Sequence, residues 1–115
     1  MANTFKNASI KSVSHSGFVD LYTCPSATTA IILGLALTNK TNSAVTASVQ
    51  FIDSSASGSA ADKERLILNE VSIPANTTLE VLSGQKYVME TTDILKVKAG
   101  TTTSLDAVLG LMQIT

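Results

Sequence analysis

Two segments of the chain are apolar at consecutive positions instead of alternate ones: Ala30-Ile31-Ile32-Leu33-Gly34-Leu35-Ala36-Leu37 and Ala107-Val108-Leu109-Gly110-Leu111-Met112-Gln113-Ile114. Successive side chains of an antiparallel strand point to opposite faces, so a sheet with one core face and one wet face leaves every second position polar. A chain of 115 residues has few layers with which to cover both faces. The pattern therefore predicts that one face of these strands packs the core while the other meets something beyond the subunit, most simply further copies of it. Setting Leu105, Ala107, Leu109 and Leu111 inward leaves Val108, Met112 and Ile114 outward. These three, with Ile32 from the earlier segment, are the candidate oligomer-interface residues.

Elsewhere the alternation is regular. Val45, Ala47, Val49 and Phe51 form an inward face against Thr46, Ser48 and Gln50, and Leu95, Val97 and Ala99 oppose Lys96 and Lys98. Leu79 and Val81 flank Glu80 in the same way. Helical periodicity is nearly absent, and clusters of Gly, Pro, Asn and Ser separate the runs. Strands are expected at about 4–13, 18–23, 29–38, 45–53, 65–73, 78–83, 86–90, 94–99 and 105–114. Eight or nine short strands at this spacing predict an all-β fold, an antiparallel β-sandwich of Ig-like or jelly-roll type, as a single domain over 1–115.

Local signals refine the picture. Asn39-Lys40-Thr41-Asn42-Ser43 reads as a hairpin turn between two β segments, and Pro74-Ala75-Asn76 ends one strand and turns into the next, as does Ala99-Gly100-Thr101. Leu66 and Leu68 fall on one face but Val71 and Ile73 on the other, so a β-bulge near Asn69-Glu70 is expected to restore a single inward face. Small polar residues from Ser54 to Asp62 predict an exposed, mobile hairpin loop. Gly34 and Gly110 each interrupt a Leu-Gly-Leu run, and glycine within a strand marks close approach by another group. Relief of crowding between layers of one subunit is the simpler expectation, and close packing between subunits is the alternative.

Charge and chemistry narrow the function. A net charge of −1 and a pI near 5.7 give no field that would gather nucleic acid or anionic lipid. The longest apolar run is far short of the ~20 residues of a membrane helix, and the N-terminus has no secretory-signal pattern, so a cytoplasmic origin is expected. Cys24 is the only cysteine and reads as a small buried residue before Pro25. His15 is the only histidine, lies in a turn-like Ser14-His15-Ser16-Gly17 stretch, and has no nucleophile frame around it; a Cys24–His15 dyad rests on proximity in sequence alone. Asp93 reads as a turn residue. No catalytic, cofactor-binding or metal-ligating residues are expected. The two Tyr and three Phe are too few to fill a core and also build a sugar-stacking platform.

From about Thr23 onward the chain resembles small virion structural proteins of tailed bacteriophages, the marine and cyanophage type in particular. The likeness rests on the order of its parts: Ala30 to Asn39, the alternating partner at Val45–Phe51, Ile73-Pro74-Ala75-Asn76-Thr77-Thr78-Leu79-Glu80-Val81-Leu82, Ser83-Gly84-Gln85-Lys86, the Asp93–Lys98 strand and a closing Leu-Gly-Leu strand. Many look-alikes carry Gly where this chain has Asn76. The resemblance implies a non-enzymatic β-sandwich located in the virion, a capsid decoration or a neck, tail or fibre-base component. Its partners would be itself, as a trimer or ring, and other virion proteins, with no nucleic acid or membrane. A receptor- or glycan-binding adhesin module of a tail fibre is the alternative.

Overall fold

The computed structural model describes residues 2–82 and 85–115. Among them are nine strands: β1 (Asn3–Ile10), β2 (Val19–Thr23), β3 (Thr29–Asn39), β4 (Val45–Ile52), β5 (Glu64–Ile73), β6 (Thr78–Glu80), β7 (Tyr87–Met89), β8 (Ile94–Ala99) and β9 (Leu105–Ile114). The one helical element among these residues is a 3-10 turn at Ala61–Lys63, and no helix is long and apolar enough to cross a membrane. The strand expected over 78–83 is paired only to Glu80, after which the Val81 N–H donates to the Leu35 carbonyl at 2.9 Å; Ser83 and Gly84 lie outside the described residues.

Two antiparallel sheets stack. The first runs β1-β9-β3-β6, with β7 pairing the other half of β3, and the second runs β2-β8-β4-β5. Chain order alternates between sheets through the first four strands. With β6 and β7 taken as two halves of one strand along β3, this is the eight-strand wind of a jelly roll. An Ig-type sandwich would pair the first strand with the second, whereas β1 here pairs β9. Of the two architectures open to the sequence, the jelly roll is the one adopted.

The core is aliphatic. Ile32, Leu35 and Leu37 of β3 and Leu105, Ala107, Leu109 and Leu111 of β9 face Ala47 and Val49 of β4 and Leu95, Val97 and Ala99 of β8. All five aromatic residues retain some exposure, from half-buried Tyr22 to Phe5 at 74%. The premise that aromatic rings must fill the core is therefore corrected: branched aliphatic side chains, which suit pleated strands, make up its fully buried part, Tyr22, Phe51 and Tyr87 pack against its margin, and Phe5 and Phe18 lie outside it.

Three local expectations also change. The segment 39–43 is not a hairpin, because β3 belongs to the first sheet and β4 to the second, so the chain turns a corner there. Asn39, fully buried, holds that corner. Its amide nitrogen donates toward the carbonyls of Ser43 (2.8 Å), Ile73 (3.0 Å) and Pro74 (3.2 Å), and its Oδ1 accepts from the Thr41 N–H and hydroxyl. Next, β5 does bulge at Asn69-Glu70: Ser48 lies between the pairs Ala47–Val71 and Val49–Leu68, Glu70 sits at φ 49°, and its N–H is taken by the Ser48 hydroxyl at 2.9 Å. A second register shift around Ile67 pairs Leu66 with Gln50, however, and leaves Leu66 on the outer face, 55% exposed, instead of beside Leu68.

Finally, β3 carries a bulge at Leu33, where the register with β9 jumps from Ile32–Leu111 to Gly34–Gly110. The extra residue puts Ile32 on the same face as Leu35, so Ile32 is a core residue at 1% exposure and its place among the outer-face candidates is corrected to Ile31.

Candidate functional site

The two sheets turn unlike faces outward. On the first sheet, register places Phe5 of β1 beside Met112 of β9, Met112 beside Ile31 of β3, and Ile31 beside Val88 of β7. This is an apolar row across four strands. Phe5 and Val88 at its ends are mostly exposed, and Met112 and Ile31 between them are half-buried. Val108 (53% exposed) and Ile114 share this face, so three of the four sequence candidates, Val108, Met112 and Ile114, lie together on it.

Beside the row, Gly34 faces Gly110 directly in the β3–β9 pairing. A Cβ built on either glycine meets nothing within 4 Å. The expectation that these glycines relieve crowding inside the subunit is thereby overturned. They instead leave a shallow depression of about 320 Å³ on the outer face, lined in part by Leu33, Ala36, Glu80 and Val108. Leu33, pushed out by its bulge, stands 43% exposed at its side.

The outer face of the second sheet is polar. Ser48 and Gln50 of β4 belong to it, as their alternation predicts, yet they are not wet: Ser48 is 5% and Gln50 8% exposed. Lys98 lies beside Ser48 and Lys96 beside Gln50 on one flank, while the bulged β5 supplies Leu66, Asn69 and Glu70 on the other. Phe18, just before β2, stands next to Lys98, whose ammonium lies 5.9 Å from the ring centroid. The Asp20–Lys96 ion pair (3.3 Å) closes the row.

The residues singled out for chemistry are not brought together. Cys24 follows β2 and His15 precedes it, and the Asp93 and Gly100 neighbourhoods they occupy are at opposite ends of β8. Cys24 is buried, its thiol directed at the carbonyls of Thr28 (3.3 Å) and Met89 (3.6 Å), and burial pushes its pKa up. A thiol so placed is a packing group and a poor nucleophile. Burial likewise raises the Tyr22 phenol, whose oxygen accepts from Gln113 at 2.7 Å. Asp93, buried at 3%, does more than end a turn: its carboxylate accepts from the Glu90 N–H (2.9 Å) and from the N–H (3.0 Å) and hydroxyl (2.9 Å) of Ser54, tying the start of the 54–62 loop to the β7–β8 connection. Asn76, where look-alikes carry Gly, sits at φ 53°, in the left-handed region that glycine and asparagine both accept.

No family model matches the chain, and no curated protein matches its sequence. Solved structures share its fold. A chain from infectious bursal disease virus, Gx strain, superposes with a TM-score of 0.55 at 12% identity, covering 96% of this chain but 32% of its own. A chain from Bacillus endospore appendages, disulfide-linked pili, gives 0.54 at 9% identity, with 98% of this chain and 88% of that one covered. A chain from the acid-stable capsid of the Helicobacter pylori bacteriophage KHP30 gives 0.50 at 14% identity, covering 99% and 89%. This chain thus spans about a third of the bursal-virus chain, and nearly all of the other two. At these identities the likeness is one of fold.

Proposed function

We propose that this protein is a non-enzymatic structural component of a virion, a single jelly-roll domain that self-associates and docks on the particle through the outer face of its first sheet. The apolar row Phe5–Met112–Ile31–Val88, next to the facing glycines, carries the reading. Nothing in the chain's own described residues covers that row, whereas the outer face of the second sheet carries polar residues at the corresponding positions. Burying each large apolar side chain stabilises by roughly 1.5–3 kcal/mol, so a few per subunit, repeated by symmetry, suffice to hold a trimer or ring. Support of a different kind comes from the company the fold keeps, since the viral chains above are parts of virus particles and the Bacillus chain is part of an appendage. The resemblance in sequence supports a head-decoration, neck, tail or fibre-base position in a tailed phage. Covalent linkage of the pilus kind has no means here, because the sole cysteine is buried.

Light scattering on size-exclusion fractions tests the reading. Wild-type protein is expected to be a discrete oligomer, and Met112→Lys to stay folded but disperse, because a lone ammonium is costly to desolvate at a dry contact. A wild-type protein that is strictly monomeric at tens of micromolar would remove the reading's physical support.

A further inference from the structure

The polar face of the second sheet contains a trough that the assembly reading does not use. One section, about 430 Å³, lies over Gln50 between Phe18 and Lys98 on one side and Glu64, Asn69 and Glu70 on the other. A second section, about 190 Å³, continues past Ser48, Glu70 and Lys98 toward His15 and Gly100. The two share Ser48, Glu70 and Lys98 in their walls and so adjoin along the outer side of β4.

Its floor is unusual. Gln50 is more than nine-tenths buried, yet among the described residues its amide makes no hydrogen bond, and it has no fully enclosed polar atom; its polar end opens into the trough. The Ser48 hydroxyl beside Gln50 accepts from the Glu70 N–H and keeps its own O–H as a donor. Gln50 thus offers an unused donor and an unused acceptor at the bottom of a concave site.

We infer that this trough binds a neutral carbohydrate, a pyranose unit or short chain of them, with the Gln50 amide reading adjacent hydroxyls. A hydroxyl both donates and accepts, which matches an amide better than a charge does. The walls carry one positive group, Lys98, against two negative ones, Glu64 and Glu70, so the trough offers an anion no attraction while presenting donors and acceptors of both signs to a hydroxyl-bearing ligand. Asn69 adds a second amide. Phe18, free because the core is aliphatic, supplies an apolar surface for the C–H face of a sugar ring, and Lys98 beside it a donor. A peptide would want either a free strand edge or a row of apolar pockets, and β4 is a central strand with little but Phe18 and Leu66 for apolar contact. The apolar first face and the carbohydrate-reading second face are on opposite sides of one sandwich, so both can act at once.

The test is an amide-resolved NMR titration with maltose, lactose, cellobiose and N,N′-diacetylchitobiose, with a uronic-acid disaccharide as the charged control. At least one neutral sugar is expected to give saturable shifts at the Gln50 side-chain amide and at Ser48, Glu70 and Lys98, with a dissociation constant in the millimolar range or tighter. Gln50→Ala should weaken that binding about tenfold, the size of one net hydrogen-bonded pair. Should that variant misfold, Phe18→Ala, at a half-exposed position, gives the same reading. Absence of saturable shifts with all four neutral sugars, shifts that map to the first sheet, or tighter binding of the charged control would each overturn the inference.

Discussion

Asn39 donates its side-chain amide to the carbonyl of Ile73 at 3.0 Å, joining the end of β3 in one sheet to the end of β5 in the other. The same side chain holds the turn that follows it, through Thr41 and Ser43. Two corners of the jelly roll, β3 to β4 and β5 to β6, therefore depend on one buried amide. Asn39→Ala leaves the buried Ile73 carbonyl and the part-buried Pro74 carbonyl and Thr41 N–H without this partner, the buried group costing about 1–3 kcal/mol before relaxation and the others less. A net loss of about 3 kcal/mol is expected, a large part of a normal domain's stability. Chemical denaturation measures it directly. A loss below about 1 kcal/mol would mean that water replaces the amide and that the corner is held by packing alone.

The 54–62 loop divides into an anchored start and a free remainder. Ser54 is bonded to buried Asp93, whereas Ser55 to Ala60 bond mainly within the loop, to Asp53 and Asp62. Replacing residues 55–60 with a short Gly-containing turn, with Ser54 kept, is expected to leave the melting temperature nearly unchanged. Asp93→Ala in the intact loop should cost about 2 kcal/mol, since the Ser54 and Glu90 N–H groups lose their acceptor together. The two variants should separate cleanly in thermal melts. Collapse of the shortened protein with Asp93 intact would show that the loop contributes packing.

Much of this was legible in the chain. Strict alternation at Val45–Phe51 and Leu95–Ala99 places the strands and their inner faces, because one buried face enforces period two. The parity break between Leu68 and Val71 even locates the bulge at Glu70. The bulge at Leu33 leaves no such mark. In a run apolar at every position, one extra residue changes which side chains point inward without changing the pattern, so Ile32 and Ile31 exchange roles unseen. The corner at 39–43 is hidden for a related reason: turn residues announce a change of direction, not the sheet to which the next strand goes. The trough depends on Gln50 being ringed by Phe18, Lys98 and β5, three segments distant in sequence, and its polar alternation predicts only a wet face.

Asp106 gives a pH signature. Its carboxylate accepts from the Lys40 ammonium at 2.8 Å and from the Ser12 N–H at 2.8 Å, and these hold its pKa below the usual range. A depressed carboxyl favours the folded state once it is ionised. Its contribution is complete above the unfolded value near ~3.9 and disappears as pH falls through the lower folded value. Wild type is therefore expected to exceed Lys40→Met in melting temperature at neutral pH, with the gap closing toward pH values below the unfolded carboxyl range. The gap should be small and shrink in high salt, because both side chains are about a third exposed. A gap that widens on acidification would contradict the assignment.

Gly110→Val separates the interior of the fold from its assembly. If Gly110 were needed within the subunit, a branched side chain there would clash and destabilise. The site has open space, its φ is not in the left-handed region, and it lies mid-strand, where glycine is a poor residue and valine a good one. The variant is therefore expected to fold at least as stably as wild type, by up to about 1 kcal/mol. On the outer face, however, the isopropyl group fills the depression opposite Gly34, where a neighbouring subunit would have to approach. Loss of the oligomer in light scattering, together with an unchanged or raised melting temperature of the dispersed subunit, is the expected pair of results. An oligomer that persists with Val at this position would place the contact elsewhere on the face, and Met112→Lys would then decide whether the apolar row takes part at all. A variant that unfolds would instead return the glycine to the subunit's own packing, against the open space seen around it.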